Sequence, residues 1–322
     1  MSSSRSALWR SFFGGAGVLA FRVVLIENEV SIRVQLNNLI VTKEGEDIWI
    51  PLEDISVIVI DNLMTSVTVR TLSQLAENGI EVLICNREHL PIGYYNAYDN
   101  HSRSSKMIGY QIQRDQSFFN ALWSEIIFHK IKNQSRVLHI LHKDDSICIR
   151  LEQLAEELQP GDPSNRESFA AKLYFNELMG VSFSRGNENI LLNSGLDYGY
   201  SIIRSFLARL CVGYGLNTQI GIHHRNEYNR FNLVDDLLEP FRPFVDLYAY
   251  RLMENDRVFT RKHRMGLINM LNHEVVYEEK KMFLCNVLEI YVQRIAGSIA
   301  GREVQTVFPN VEGYLPKEID EV

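Results

Sequence analysis

The amino-acid sequence predicts an α+β protein, in which a β-rich N-terminal region is followed by a larger all-α region. Three observations predict this order. Apolar and polar residues alternate between positions 30 and 36, a run rich in β-branched residues follows at Ile55–Ile60, and apolar residues recur at helical spacing beyond position 105. These patterns are typical of a half-buried strand, a strand buried on both faces and amphipathic helices, respectively. The length of 322 residues suggests about two domains.

Composition excludes several classes of protein. Hydrophobic residues make up 46% and charged residues 23% of the chain, which is ordinary for a globular protein and excludes a fully disordered one. No apolar run reaches the ~20 residues that a membrane-spanning helix needs. The four cysteines are widely separated, which argues against a zinc finger or disulfide scaffold and favours a reducing cytoplasm. The net charge of −7 gives no indication of a nucleic-acid partner.

The N-terminal region, residues 21–102, divides into short strands. They are predicted at residues 23–26, 30–36, 39–42, 48–52, 55–60, 80–85 and 92–95. Lys43-Glu44-Gly45-Glu46 supplies a hairpin turn between two of them. One helix is predicted over residues 66–77, ended by Asn78-Gly79 as a C-terminal cap. Residues 1–20 carry arginine, serine and glycine but no acid, and we interpret them as a leader, a tag or an extension outside the fold.

Residues 103–322 show helical periodicity. Asp115 is placed to cap a helix that carries Phe118, Leu122 and Ile126 on one side. Further helices are predicted over residues 136–141, 147–158, 164–179, 196–212, 233–253, 264–271 and 282–300. The tail after Arg302 is predicted to be irregular.

Glu167 is the first acid that the pattern singles out. Ser164 precedes it by three residues, which is the spacing of a capping box, so one interpretation is a helix cap. The other interpretation is functional, because Glu167 lies on the helix face of Ala170 and Tyr174, at the edge of the buried side. A carboxylate that points into a packed interface needs a partner, often a metal.

A second group of polar residues lies around position 230. His223 and His224 precede a helix on which Asp235, Asp236 and Glu239 share one face. One interpretation is a solvated acidic face, with Glu239 paired to the arginine three residues later, and histidines that only pack. The other is a metal site. Several carboxylates with one imidazole suit Mg²⁺ or Mn²⁺ better than zinc.

Four segments, taken in order and spacing, match a known family. They are Asn165–Asn176, Asn193–Tyr200, Gly221–His224 and Asp235–Pro243. Together they resemble the CRISPR-associated adaptation integrases ("Cas one"), the spacer-acquisition endonucleases, and the resemblance extends from about position 21 to about position 300.

Two shorter segments, Lys130–Gln134 and Glu227–Asn232, resemble the type II branch of that family. The chain also departs from the family pattern. Ser168 and Phe169 stand where members commonly carry Gly and His, and the first 20 residues precede the usual start.

The resemblance implies a β-sandwich-like N-terminal domain used in dimerisation and a helical catalytic domain. It also implies that Glu167, His224 and Glu239 are both the catalytic residues and the ligands of Mg²⁺ or Mn²⁺. Supporting roles near the site are implied for Asp236, Tyr198 and Arg242.

The implied activity is the joining of short DNA fragments into a CRISPR array by metal-dependent transesterification, in the cytoplasm of a prokaryote. The implied partners are double-stranded DNA (prespacer and CRISPR repeat), a second copy in a homodimer, the small adaptation partner ("Cas two") and other type II CRISPR proteins, without a membrane. The alternative is a non-catalytic DNA-binding scaffold of an adaptation complex, with these acids on the surface.

Local basic patches are predicted to contact DNA phosphates, because the chain as a whole is acidic and phosphate contacts supply most non-specific affinity. The predicted DNA-binding residues are Arg103, Lys106, Lys130, Lys132, Arg261, Lys262 and Arg264.

Overall fold

The computed structural model of the chain describes residues 22–87, 89, 91–97, 104–181, 183–185 and 191–316. Its N-terminal elements are β1 (Arg22–Ile26), β2 (Ser31–Gln35), β3 (Asn38–Lys43), β4 (Glu46–Pro51), β5 (Ile55–Ile60), β6 (Ser66–Val67), α1 (Val69–Glu77), β7 (Glu81–Cys85) and β8 (Pro91–Tyr95). Residues 1–20 and the predicted boundary at 102–103 lie outside the described residues, so the predicted domain limits stay predictions.

Two four-stranded sheets form the N-terminal region. One has the order β1-β5-β7-β8, with β1, β5 and β7 parallel and β8 antiparallel; the other has the order β4-β3-β2-β6. Ile32 and Leu39 of the second sheet share a core with Ile58 of the first. On the opposite face of the first sheet, Val57 and Leu83 pack into the core of the helical region. The central strand β5 is therefore buried on both faces, as its composition predicts.

Turn chemistry sets the ends of these elements. Glu44 and Gly45 both have positive φ, 52° and 87°, which gives the predicted hairpin between β3 and β4. α1 begins three residues later than predicted because the Thr68 hydroxyl accepts a hydrogen bond from the Thr71 N–H and caps it there. Ser66 and Val67, the first two residues of the predicted helix, pair with β2 and form β6 instead.

Helices dominate from position 104. The elements are α2 (Ser104–Gln113), α3 (Gln116–Ile140), α4 (Asp145–Glu156), α5 (Arg166–Met179), α6 (Leu191–Gly213), α7 (Asn232–Leu238), α8 (Arg242–Met253), α9 (Arg261–Asn269), β9 (Glu274–Tyr277), β10 (Lys280–Phe283), α10 (Leu284–Ile299) and β11 (Tyr314–Leu315). The long helices α3 and α6 are central: α3 packs against α4, α5 and α8, and α6 against α7 to α10. In the described residues no helix is both long and apolar enough to cross a membrane.

The predicted α+β class is confirmed, but several predicted elements of the helical region need correction. Residues 136–140 are the end of α3, with Leu141 as its C-cap, and form no separate helix; α2 was not predicted. A small antiparallel sheet of order β10-β9-β11 is inserted among the helices. After Arg302 the chain is irregular as far as Asn310, as predicted, but Phe308, Val311 and Tyr314 are buried and β11 pairs with β9.

Candidate active site

Glu239 lies at a break between two helices. Sequence periodicity predicts one helix over residues 233–253, but α7 ends at Leu238 and a 3-10 turn spans Glu239–Phe241 before α8. Pro240 and Pro243 explain the break, because proline has no N–H to donate and is tolerated only in a first helical turn. Glu239 is 4% exposed, so the predicted alternative of a solvated acidic face is wrong for this residue.

Glu239 and Glu167 meet at one ammonium group. Nζ of Lys130, on α3, lies 2.5 Å from Oε1 of Glu167 and 2.5 Å from Oε2 of Glu239. Nε of Arg242 lies 2.8 Å from the other oxygen of Glu239. Burial by itself would raise the pKa of Glu239, but Arg242 and Lys130 outweigh it and lower the pKa to about 2. Glu239 is therefore an ionised, buried carboxylate with a cation beside each oxygen.

Glu167 reaches this point from the first turn of α5. The capping box predicted from Ser164 is absent. The Asp162 carboxylate instead accepts hydrogen bonds from the N–H groups of Arg166 and Glu167, at 2.8 and 2.9 Å. Asp162 is buried and supplies the N-terminal oxygens that the helix needs. This frees the Glu167 side chain, which is 26% exposed, to extend towards Lys130.

His224 is held by Asp236. The Asp236 carboxylate accepts hydrogen bonds from the N–H groups of Ile222, His223 and His224, at 2.6, 3.0 and 3.2 Å. It also lies 2.6 Å from Nδ1 of His224, and this hydrogen bond raises the pKa of the imidazole. Because Nδ1 is engaged, Nε2 is the ring nitrogen left for a ligand, which is the arrangement typical of metal-binding histidines.

Both adjacent histidines contact Trp123, the His223 ring face to face and the His224 ring edge-on, with centroids 5.7 Å apart for His224. His223 stacks on Trp123 with ring centroids 4.3 Å apart. Gly221 is needed at the start of this loop, because a Cβ there would lie 2.3 Å from the carbonyl oxygen of His224. The interpretation of both histidines as packing residues therefore holds for His223, whereas the His224 ring is 43% exposed.

The donor chemistry of Glu167, Glu239 and His224 fits Mg²⁺ or Mn²⁺, which accept carboxylate oxygens and imidazole nitrogen. The ammonium of Lys130 shows that both carboxylates already gather around one cation. Among the described residues, however, no three His, Cys, Asp or Glu side chains converge closely enough to hold a metal as they stand. Lys130 is the side chain that lies between the two acids, and the metal stays a prediction.

An arginine-lined cleft opens beside these residues. It has a volume of about 420 Å³ and is lined by Arg185, Asp197, Tyr200, Ser201, Arg204, His224, Asp235, Leu238 and Arg242. Arg204 pairs with Asp235 at 2.8 Å and Arg185 with Asp197 at 2.6 Å. Asp235 therefore has a cation partner that the sequence analysis did not identify. The sequence feature that indicates such a partner is Arg204, a charged residue within the largely apolar stretch from Tyr200 to Leu216.

Of the three supporting residues, Asp236 and Arg242 contact the site and Tyr198 does not. Tyr198 is fully buried against Phe259, with ring centroids 5.6 Å apart. Two positions along a helix turn a side chain by about 200°, so Tyr198 and Tyr200 face opposite ways. Tyr200 is the tyrosine that lines the cleft, and the Arg242 guanidinium lies 4.6 Å from its ring centroid.

Two of the predicted DNA-binding residues are buried. Lys130 is 6% exposed, and Arg264 is 8% exposed, with Nε 3.0 Å from Oδ2 of Asp61. Neither side chain presents a free charge to a DNA surface, so both assignments need correction. Burial of Lys130 was detectable in the sequence, because it follows the apolar Ile126 and Ile127 at helical spacing.

For the other predicted DNA-binding residues, contact with DNA stays a prediction. Lys106 and Lys262 are exposed, Arg261 is exposed beside Glu27, and Lys132 pairs with Glu156 at 2.9 Å. Arg103 lies outside the described residues.

Comparison with known proteins supports the family resemblance. The profile of the family described as "CRISPR associated protein Cas1" matches residues 23–274. A CRISPR-associated endonuclease Cas1 from Neisseria meningitidis serogroup C (strain 8013) is 37% identical over 265 residues, which cover 81% of this chain and 86% of that protein.

Solved structures support the fold. A casposase bound to its integration product superposes with a TM-score of 0.73 at 18% identity, covering 94% of this chain and 96% of the other. A Cas6-RT-Cas1–Cas2 complex superposes with a TM-score of 0.70 at 18% identity, covering 94% of this chain and 37% of the other. The family profile covers most of the sequence, Glu167 and Glu239 meet at Lys130, and His224 lines the neighbouring cleft. The chain belongs to the CRISPR-associated Cas1 family.

Proposed function

We propose that this protein is a divalent-metal-dependent DNA endonuclease and integrase of spacer acquisition, which joins short DNA fragments into a CRISPR array. The observation that carries the proposal is the meeting of the Glu167 and Glu239 carboxylates around one cation position, beside His224 and an arginine-lined cleft. The N. meningitidis relative is named an endonuclease, and a casposase with its integration product shares the fold.

The expected reaction is a transesterification. The 3′-oxygen of a captured DNA strand forms a bond to a phosphorus atom at the edge of a CRISPR repeat, the existing P–O bond of the repeat strand breaks, and the proton passes to the departing oxygen. Glu167, Glu239 and His224 would hold Mg²⁺ or Mn²⁺. Such an ion, when bound, polarises the phosphoryl oxygen and lowers the pKa of the attacking hydroxyl.

The remaining side chains act on the substrate and on the ligands. Arg204 and Arg242 line the cleft and can pair with phosphate oxygens. Asp236 holds the imidazole of His224 in one orientation through Nδ1. Three arginines and two aspartates line the cleft, so its lining carries a local excess of positive charge despite the negative net charge of the chain, which suits a phosphodiester backbone.

We propose the same partners that the family implies. They are double-stranded DNA, a second copy of the chain and a small Cas2-type protein. The solved Cas6-RT-Cas1–Cas2 complex contains a chain with this fold. The alternative of a non-catalytic DNA-binding scaffold predicts that the acids lie on the surface. Burial of Glu239 and its contacts with Lys130 and Arg242 disfavour that alternative.

The test is strand transfer of a short DNA duplex into a plasmid carrying a CRISPR repeat, with Mg²⁺ or Mn²⁺ and with the Cas2-type partner present. Glu167→Gln and His224→Asn should each lower the rate by more than about 100-fold, since even outer-shell partners of metals contribute 10- to 100-fold. Glu152→Gln, an exposed carboxylate on α4, is the matched control and should retain activity. Strand transfer retained by folded Glu167→Gln protein would overturn the assignment.

A further inference from the structure

Lys130 has an environment that neither the family motifs nor the proposed reaction explains. Its ammonium is buried in the middle of α3 and lies 2.5 Å from one carboxylate oxygen on each side. We propose that Lys130 is an internal counter-cation of the active site, which neutralises Glu167 and Glu239 and must leave their shared position before a divalent ion binds there. This rests on the proposed function, because it takes both glutamates as metal ligands.

The geometry makes the ammonium and a divalent ion mutually exclusive. Nζ lies 2.5 Å from one oxygen of each carboxylate and so occupies the space between them. An ion bound to both oxygens would fall within contact distance of Nζ. Two cations cannot share that position, so one excludes the other.

The charges lead to the same conclusion. Glu167 and Glu239 carry two negative charges, and Lys130 and Arg242 carry two positive ones within 2.8 Å of them. The group is neutral as it stands. A divalent ion added without displacement would leave two excess positive charges in a partly buried site, where charges interact strongly.

Lys130 is suited to move and Arg242 is not. Lysine is a compact ammonium on a flexible four-carbon stem, whereas arginine is a planar fork. Arg242 is also fixed by the Tyr200 ring, which its guanidinium covers at 4.6 Å from the centroid. Arg242 therefore holds Glu239 in place while Lys130 exchanges with the metal.

The proposal predicts two opposite effects of removing the ammonium. Without metal, Lys130→Met leaves two carboxylates facing each other and lowers the melting temperature, as breaking a buried ion pair does. With metal, the competitor is gone, so Mn²⁺ binds more tightly. A purely structural lysine would produce the first effect without the second.

The experiment is a titration of the full-length protein with Mn²⁺, in which free Mn²⁺ is measured by its electron paramagnetic resonance signal. Lys130→Met should bind Mn²⁺ at least about tenfold more tightly than the wild type, since a like charge at this range opposes binding by more than that. Lys132→Met, on the same helix but paired outwards with Glu156, is the matched control and should bind as the wild type does. Lys130→Gln, which keeps a polar group between the acids, serves as the second variant and should also bind more tightly.

The Glu167 variant tests the metal site, and the two Lys130 variants test the counter-cation. If Glu167→Gln abolishes Mn²⁺ binding but Lys130→Met and Lys130→Gln bind no more tightly than the wild type, the counter-cation is refuted and the metal site stands. If Glu167→Gln leaves Mn²⁺ binding unchanged, the ligand assignment fails and the counter-cation fails with it. Tighter binding by both lysine variants, together with a lower metal-free melting temperature, supports the inference.

Discussion

At the scale of single residues, Asp246 is a buried acid whose environment raises its pKa. It is 1% exposed, accepts a hydrogen bond from the Tyr200 hydroxyl and lies below the ring that Arg242 covers. Burial raises the pKa to about 6, although the tyrosine hydrogen bonds and the Arg242 charge oppose the increase. Asp246 thus links Tyr200, which lines the cleft, to the buried core. Its carboxyl group titrates near neutrality.

The sign of the resulting pH dependence follows from this pKa. The folded state holds the Asp246 proton up to about pH 6, whereas in the unfolded state the carboxyl group loses it near its ordinary pKa of 3.8. Folding is therefore favoured by protonation, and this contribution is lost as the pH rises from about 4 to 6 and above. Relative to Asp246→Asn, the wild-type free energy of unfolding should fall by roughly 1–2 kcal/mol between about pH 5 and pH 7.

Urea unfolding of both proteins at several pH values measures this difference. Glu152→Gln, an exposed acid, provides the control and should track the wild type at every pH. A difference between wild type and Asp246→Asn that does not change with pH would refute the buried, proton-binding carboxyl.

At the scale of elements, α3 holds the turn that carries Glu239. Lys130 contacts the Glu239 side chain, and Asn133, one turn later, contacts the backbone next to it. Nδ2 of Asn133 donates to the carbonyl oxygens of Pro240 at 3.1 Å and Pro309 at 2.9 Å. Its Oδ1 accepts from the Val311 N–H at 3.2 Å. The tail, which lies beyond the residues that the family profile matches, is therefore tied through Asn133 to the turn that carries Glu239.

Asn133→Ala should destabilise the protein by roughly 2–4 kcal/mol, because it leaves several buried backbone groups without hydrogen-bond partners. The free energy of unfolding in denaturant measures this loss. Glu152→Ala, on the exposed side of the neighbouring helix α4, should change it by less than about 0.5 kcal/mol. A loss below about 0.5 kcal/mol for Asn133→Ala would show that water satisfies those groups instead.

At the scale of the whole molecule, buried ion pairs join the helical region to the N-terminal sheet. Arg264 of α9 reaches Asp61, which follows β5, and Glu27, which follows β1, at 3.0 and 3.3 Å. The parallel strands β1 and β5 end at the same sheet edge, so both acids lie there together. The basic cluster that the sequence suggested for DNA thus serves in part to hold the two regions against each other.

Arg264→Met should cost about 3–5 kcal/mol, because it leaves the Asp61 carboxylate buried without its guanidinium. Adding Asp61→Asn should recover part of this loss, since the double variant no longer buries that charge. Lys262→Met, which removes an exposed cation two positions away on the same helix, should have almost no effect on the free energy of unfolding. Equal losses for the single and double variants would exclude the ion pair as the cause.

The elements that local patterns determine were the ones that the sequence predicted well. The strand β5, the β3–β4 hairpin and most helices follow from periodicity and turn residues, which act within a few positions. The errors came where tertiary contacts or prolines override periodicity: the break at Pro240 and the small sheet around β9. The spacing of Ser164 and Glu167 fits a capping box, but the Asp162 carboxylate accepts the first N–H groups of α5 instead, a contact that the capping-box spacing does not indicate.

Sequence motifs were sufficient to identify the family and to select the acids and the histidine that we propose as metal ligands, because motif spacing is a property of the chain itself. The folded structure shows how those side chains are used. It separated Tyr198 from the cleft, placed Tyr200 there, and brought Lys130 to Glu167, which is 37 residues away in sequence. The free energy of a buried charge depends on which opposite charges lie within a few ångströms of it, and chain folding alone sets those distances.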